Sequence, residues 1–112
     1  MKKVVLTALV ASILTLTGCA STPSPWAGVP YEEANAWRGI GVQAYDAKSL
    51  RYNGFTPSDA SSWVQAGIKS PKQIVTWHRA GFTPREASKW LNKGFTLEKA
   101  LEYKKQGLTI AG

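Results

Sequence analysis

Side chains able to do chemistry are few in this chain and stand far apart. There is one cysteine, Cys19, and one histidine, His78, in 112 residues. A lone histidine cannot build a tetrahedral metal site without cysteine or carboxylate partners, so no metal is expected. His78 follows Trp77 and is expected at the edge of a buried helix face, in a structural or surface role. Glu32 and Glu33 are adjacent carboxylates, a pairing that acid–base catalysis can use. At a helix start they are better explained by the positive end of the helix dipole. Ser58, Asp59, Ser61 and Ser62 crowd another helix start, where capping and solvation account for them. There is no phosphate loop and no dinucleotide fingerprint. The chain therefore reads as a non-enzyme, with no catalytic residue and no cofactor.

The thiol of Cys19 is the exception. A single cysteine excludes an internal disulfide, and its surroundings point to another use. Met1-Lys2-Lys3 is a short basic start, and Val4 to Leu16 is mostly apolar. That apolar stretch suits a signal peptide and is too short to span a bilayer as a helix. It ends in Leu16-Thr17-Gly18-Cys19, which resembles the lipobox of bacterial lipoprotein precursors. The resemblance covers residues 1–20. It implies cleavage before Cys19, a diacylglycerol on the thiol and acylation of the new amino group. Several acyl chains hold far more firmly than one, at about 0.8 kcal/mol per buried CH₂. Ala20 stands where an aspartate would imply retention at the inner membrane, so the resemblance implies an outer-membrane location. Ala20 to Gly28 contains Pro23 and Pro25 among small polar residues and reads as an extended tether. Nine residues reach no more than about 30 Å, which keeps the rest of the chain near the membrane. The expected division is a signal peptide over 1–18, a lipidated tether over 19–28 and a folded domain over 29–112. Trp26, inside the tether, is expected to pack against the first unit of that domain.

The domain is a repeat. Gly28, Gly41, Gly54, Gly67, Gly81, Gly94 and Gly107 recur every thirteen residues, with one spacing of fourteen where Lys69 is added. Four residues before each glycine from the second onward stands a large side chain: Trp37, Leu50, Trp63, Trp77, Trp90 and Tyr103. Three residues before those stand Ala34, Ala47, Ala60, Ile74, Ala87 and Ala100. After each glycine comes an apolar residue, such as Val42, Phe55 or Phe82. A fixed internal period of this kind marks a repeat architecture. Thr83-Pro84-Arg85-Glu86 shows what one unit does. Thr83 can cap a helix and Glu86 can reach back to it, with Pro84 at the first helical position. Gly94 can then end the helix in the left-handed region, with Phe95 folding back onto the last turn.

These units predict an all-α fold, with helices over about 31–39, 44–52, 57–66, 71–80, 84–93 and 97–106. Thr56, Ser70, Thr83 and Thr96 are the expected caps, with the Ser70-Pro71-Lys72-Gln73 box as good as that at Thr83. The second helix lacks a cap and Gly39 and Gly41 loosen the end of the first, so this pair is expected to be the least stable. Helices this short do not survive alone in water. Trp37, Trp63, Trp77, Trp90 and Tyr103 are therefore expected to form a structural core. The phrase also resembles the tandem G-F-T-P-x-E-A-x-x-W units of some bacterial proteins of unknown role, over most of residues 54–96. That resemblance implies a helical repeat and no activity.

Charge is uneven. Residues 20–66 hold three basic and four acidic side chains, and residues 67–112 hold nine basic and three acidic. Lys72, Arg79, Arg85, Lys89 and Lys93 form the expected interaction patch, with Arg85 and Lys89 central. It would suit an envelope protein or an anionic cell-wall polymer. Basic residues with aromatics would otherwise suggest nucleic acid, but the lipid anchor places the chain outside the cytoplasm. The expected role is a non-catalytic structural or interaction module at the outer membrane, facing the periplasm. The rival is a glycan-binding module that stacks sugars on exposed tryptophans.

Overall fold

A computed structural model describes residues 24–110. The signal segment, Cys19 and tether residues 20–23 lie outside the described residues. Within them are six helices of nine residues each: α1 (Tyr31–Gly39), α2 (Ala44–Tyr52), α3 (Pro57–Gln65), α4 (Pro71–Arg79), α5 (Pro84–Asn92) and α6 (Leu97–Lys105). The described residues are otherwise turns and loops, without strands.

Local chemistry explains α5 from end to end. Thr83 Oγ1 accepts from the Glu86 N–H at 3.1 Å and Glu86 Oε1 accepts from the Thr83 N–H at 3.0 Å, closing the capping box. Gly94 stops the helix with φ at +84°, where a side chain would be strained. Its N–H donates to the Leu91 carbonyl at 2.9 Å, and the Phe95 N–H donates to the Trp90 carbonyl at 3.0 Å. The Phe95 ring then meets the Trp90 indole edge-on, 4.9 Å between centroids. The column residue thus serves twice: its ring fills the core while its carbonyl holds the stop. All six helices end in the same nested pair of bonds, through to Gly107→Lys104 and Leu108→Tyr103.

The starts are less uniform. Thr56 and Thr83 have complete boxes. Ser70 accepts from Gln73 at 3.4 Å without the return bond, so this box is half made and weaker than its sequence suggests. The added Lys69 lengthens that turn, and the neutral Gln73 side chain does not close it. Pro30 and Gln43, at the starts of α1 and α2, make no side-chain cap. Helices α3 to α6 each stop one residue short of expectation, because Ala66, Ala80, Lys93 and Gln106 serve as C-caps.

Helices α1 to α5 bury their column residues against neighbours one or two places along the chain. The substantial contacts are α1 with α2 and α3, α2 with α4, α3 with α5, and α4 with α5. Trp37, Leu50, Trp63, Ile74, Trp77 and Trp90 are all buried, as are the alanines beneath them. Tyr103 is only half-buried, at the open end of the series, stacked on Trp90 at 5.9 Å.

Polar side chains repeat the two-place step. Arg79 of α4 donates to Asn53 Oδ1 at the end of α2, 2.8 Å. Ser88 of α5 donates to the Ala66 carbonyl at the end of α3, 3.0 Å. Lys104 of α6 donates to the Gly81 carbonyl at the end of α4, 2.8 Å. Each helix from α4 onward is therefore pinned to the C-terminal end of the helix two before it, through the Asn53 side chain at α2 and through free backbone carbonyls at α3 and α4.

The packed unit begins before residue 29. Trp26 and Val29 lie against the core, and Gly28 has φ +90° with the Val29 N–H bonded to the Trp26 carbonyl at 3.0 Å. Gly28 and Val29 repeat the glycine–apolar step of the later units, with a shorter-range bond in place of their nested pair. The Arg38 guanidinium sits 5.0 Å over the Trp26 ring and covers the array's first edge.

Candidate functional site

The five expected patch residues fall into two rows. Lys72 and Arg79 are seven apart on α4, hence on one face. Arg85 and Lys89, with Lys93 just past the helix end, are spaced by four along α5. Helices α4 and α5 pack against each other. The rows are not equivalent to a free cationic sheet, however. Arg79 is engaged with Asn53. Lys89 is half-buried along a groove of about 320 Å³ that also takes in Glu86, Trp90, Lys104 and Ile110. Lys72, Arg85 and Lys93 are exposed.

Lys104 does more than add to the basic surface that composition alone suggests. Its ammonium lies 4.4 Å over the Phe82 ring, bonds the Gly81 carbonyl and stands 3.5 Å from Glu86 Oε1. It occupies the position after the column residue, the same position as Arg38, Arg51, Val64, His78 and Leu91. That column could have been read for tertiary contacts, since it follows the buried one along every helix. His78 uses it for an edge-on contact with Phe55 at 5.1 Å, two helices back, and a longer one with Trp63 at 6.2 Å.

His78, Arg79, Ser58, Asp59, Ser62 and Phe55 share a groove of about 520 Å³ between α3, α4 and the end of α2. It is the one place among the described residues where the histidine, a carboxylate and hydroxyls face a common space. Asp59 and Arg79 are already engaged. Asp59 accepts from the Thr56 N–H at 3.0 Å, and this backbone bond is the main cause of its lowered carboxyl pKa; the Thr56 hydroxyl adds to it and His78 adds least. Asn53 accepts from Arg79 and donates to the Ser49 carbonyl. Among the described residues no hydrogen bond orients the His78 ring as a base, and no three of His, Cys, Asp and Glu converge for a metal.

Glu33 and Glu32 part company. Glu32 is exposed. Glu33 accepts from the Trp37 Nε1–H at 2.9 Å and takes the Arg51 guanidinium on both oxygens, at 2.5 and 3.3 Å. It is a structural node joining α1 to α2. The Arg51 bond lowers its pKa most, the Trp37 bond next.

Burial places the tryptophans in the expected core and removes the exposed indoles that the rival glycan reading needs. Trp37, Trp63, Trp77 and Trp90 are buried, at most 5% exposed, and Trp26 is half-buried. The four buried indoles offer no face to a sugar. The exposed aromatics are tyrosines: Tyr31, Tyr45 and Tyr52. No helix among the described residues is long and apolar enough to cross a membrane. Comparisons with protein-family models, with curated proteins and with solved structures gave no match to this chain.

Proposed function

We propose that this chain is a lipid-anchored envelope protein whose helical array works as a non-catalytic structural or interaction module at the outer membrane, facing the periplasm. The observation that carries the reading is Leu16-Thr17-Gly18-Cys19 closing an apolar segment, directly ahead of a short tether and a repeat domain. Lipid chains on Cys19 supply the anchor. The array supplies an elongating surface of repeated helix faces, the form that repeat proteins use for binding. The partner is an envelope protein or an anionic cell-wall polymer, met by the cationic rows of α4 and α5. Support for a non-catalytic role comes from how the polar side chains are used. Thr56, Thr83, Asp59 and Glu86 close caps, while Arg79, Ser88 and Lys104 pin helices together.

Two measurements test this. Intact mass of the envelope-extracted chain should show cleavage before Cys19 and added acyl chains, and Cys19→Ala should remove both. An unmodified thiol at Cys19 defeats the anchor. Partner capture should weaken in an Arg85→Glu/Lys89→Glu chain, and equal capture excludes that surface.

The glycan reading survives only in altered form, on the exposed tyrosines rather than the tryptophans. Pelleting of the full chain with purified peptidoglycan, compared before and after Tyr45→Ser/Tyr52→Ser, tests it.

A further inference from the structure

We infer that the outer face of α2, carrying Tyr45, Lys48 and Tyr52, rests on the bilayer that holds the anchor, with both phenol rings in the headgroup layer. This rests on the lipid-anchor reading above. Tyr45 is 86% exposed and Tyr52 is 91% exposed. With the exposed Lys48 between them they are spaced i, i+3 and i+7, so they form one stripe along the helix. Among the described residues, the remaining large apolar side chains so exposed are Tyr31 (76%), at the start of the adjacent helix, and Leu108 (49%) at the other end. Exposed aromatic surface is thus gathered at the tethered end of the array, where the anchor brings it to the membrane. From Cys19 to Ser24, the first described residue, the chain can extend about 17 Å at most.

The side-chain chemistry selects the headgroup layer. Tyrosine has an apolar ring and a polar tip, which suits a boundary between water and hydrocarbon better than either side of it. Lysine beside it can lie along the surface with its ammonium in water or on a lipid phosphate. Charge plays the smaller part. The first half of the domain carries three basic and four acidic residues, so it is not drawn to anionic lipid as a whole. Contact through rings should therefore change little with salt or with anionic lipid content, unlike contact through a polybasic patch. A helix stripe also meets a plane along its length. The membrane is the occupant these features favour. In this pose the cationic rows of α4 and α5 are left for a partner.

The lipidated full chain offers a direct test, because Cys19 is blocked and an introduced cysteine is the only free thiol. A nitroxide spin label is placed at Lys48→Cys in one chain and at Lys93→Cys in another. Both are reconstituted in vesicles of phosphatidylethanolamine and phosphatidylglycerol, and then in phosphatidylcholine alone. The label at position 48 should be roughly fivefold less accessible to an aqueous nickel chelate than the label at 93, as expected of a group in the interfacial layer. The difference should persist in the neutral vesicles, and adding Tyr45→Ser/Tyr52→Ser should abolish it. Equal accessibility at 48 and 93 overturns the proposal, as does shielding of position 48 only after soluble peptidoglycan is added. A parent chain that takes the label at Cys19 shows instead that the anchor reading has failed.

Discussion

The first two helices and the last four reach the same length by different means. Helices α3 to α6 start on hydroxyl caps, two of them complete boxes. Helices α1 and α2 start on Pro30 and Gln43, without one. Yet Trp37 and Leu50, on these uncapped helices, are among the most deeply buried side chains of the chain. Magnitudes explain how this is possible. A buried tryptophan removes about 200 Å² from water, worth up to about 5 kcal/mol at about 25 cal/mol per Å². A cap contributes about 1 kcal/mol. Burial and the glycine stop, which all six share, outweigh the start. The uncapped pair also has a bond the others lack, the Trp37–Glu33–Arg51 node across α1 and α2. It should still unfold first, because its caps are missing and its charged node is partly exposed.

The largest expected effect tests the shared feature. Trp77→Ala should cost roughly 3–5 kcal/mol, enough to unfold a marginal domain. Thermal melting followed by circular dichroism should show the loss, and Trp37→Ala should be comparably severe despite its uncapped helix. An unchanged melt for either would detach stability from the column.

The glycine stop ranks next. Gly81 has φ +92° with open space where a Cβ would lie. Gly81→Ala should therefore cost only the left-handed conformational penalty, about 1–2 kcal/mol. Urea unfolding measures it, and a cost as large as that of Trp77→Ala would mean that steric crowding had been missed.

A smaller change should act in the opposite direction. Asp46 is the third residue of α2, so Gln43→Thr recreates the Thr56–Asp59 box of α3. It should stabilise the chain by about 0.5–1 kcal/mol. The gain should appear in hydrogen exchange as slower opening of α2. If exchange there does not change, the difference between the two regions is not one of caps.

The smallest expected effect is acid sensitivity. The Glu33 carboxyl is held below its ordinary value of 4.5 chiefly by Arg51 and then Trp37, and that of Glu86 chiefly by the Thr83 backbone N–H. Asp59 is held below 3.8 chiefly by the Thr56 N–H. Folded values below the unfolded ones stabilise the fold fully above the ordinary range, and that contribution is lost as pH falls through the lowered values. These groups are open to solvent, so the effect is modest. The melting temperature should be flat from neutral pH to about 5 and decline below about 4.5. Glu33→Gln should flatten the decline for the N-terminal pair.

Much of the fold was legible in the sequence because each unit states its own ends. Thr83-Pro84-Arg85-Glu86 names a start, and Gly94-Phe95 names a stop. The column of Trp37, Trp63, Trp77 and Trp90 names the buried face. What periodicity cannot name is which helix that face meets. The two-place step appears only in Arg79–Asn53, Ser88–Ala66 and Lys104–Gly81, pairs separated by twenty-two to twenty-six residues. Glu33 was legible as a helix-start carboxylate, but its second partner, Arg51, is eighteen residues away. Composition showed a basic half, yet could not separate Lys104, pinned to α4, from Arg85 and Lys93, left in solvent. The exposed tyrosines were illegible for the same reason. Tyr45 and Tyr52 lie outside the repeating columns, and only the packed array shows which face of α2 stays uncovered.

The central claim is the step from each helix to the one two places earlier, and His78 reports on it cleanly as the sole histidine. Its ring protons should be unambiguous in a proton NMR spectrum of the folded chain. They should show nuclear Overhauser contacts to the Phe55 ring, across the gap from α4 to the end of α2, and weaker ones to Trp63. Contacts confined to the helix of His78 itself, or directed only to the flanking turns at Lys69 and Phe82, would contradict the array.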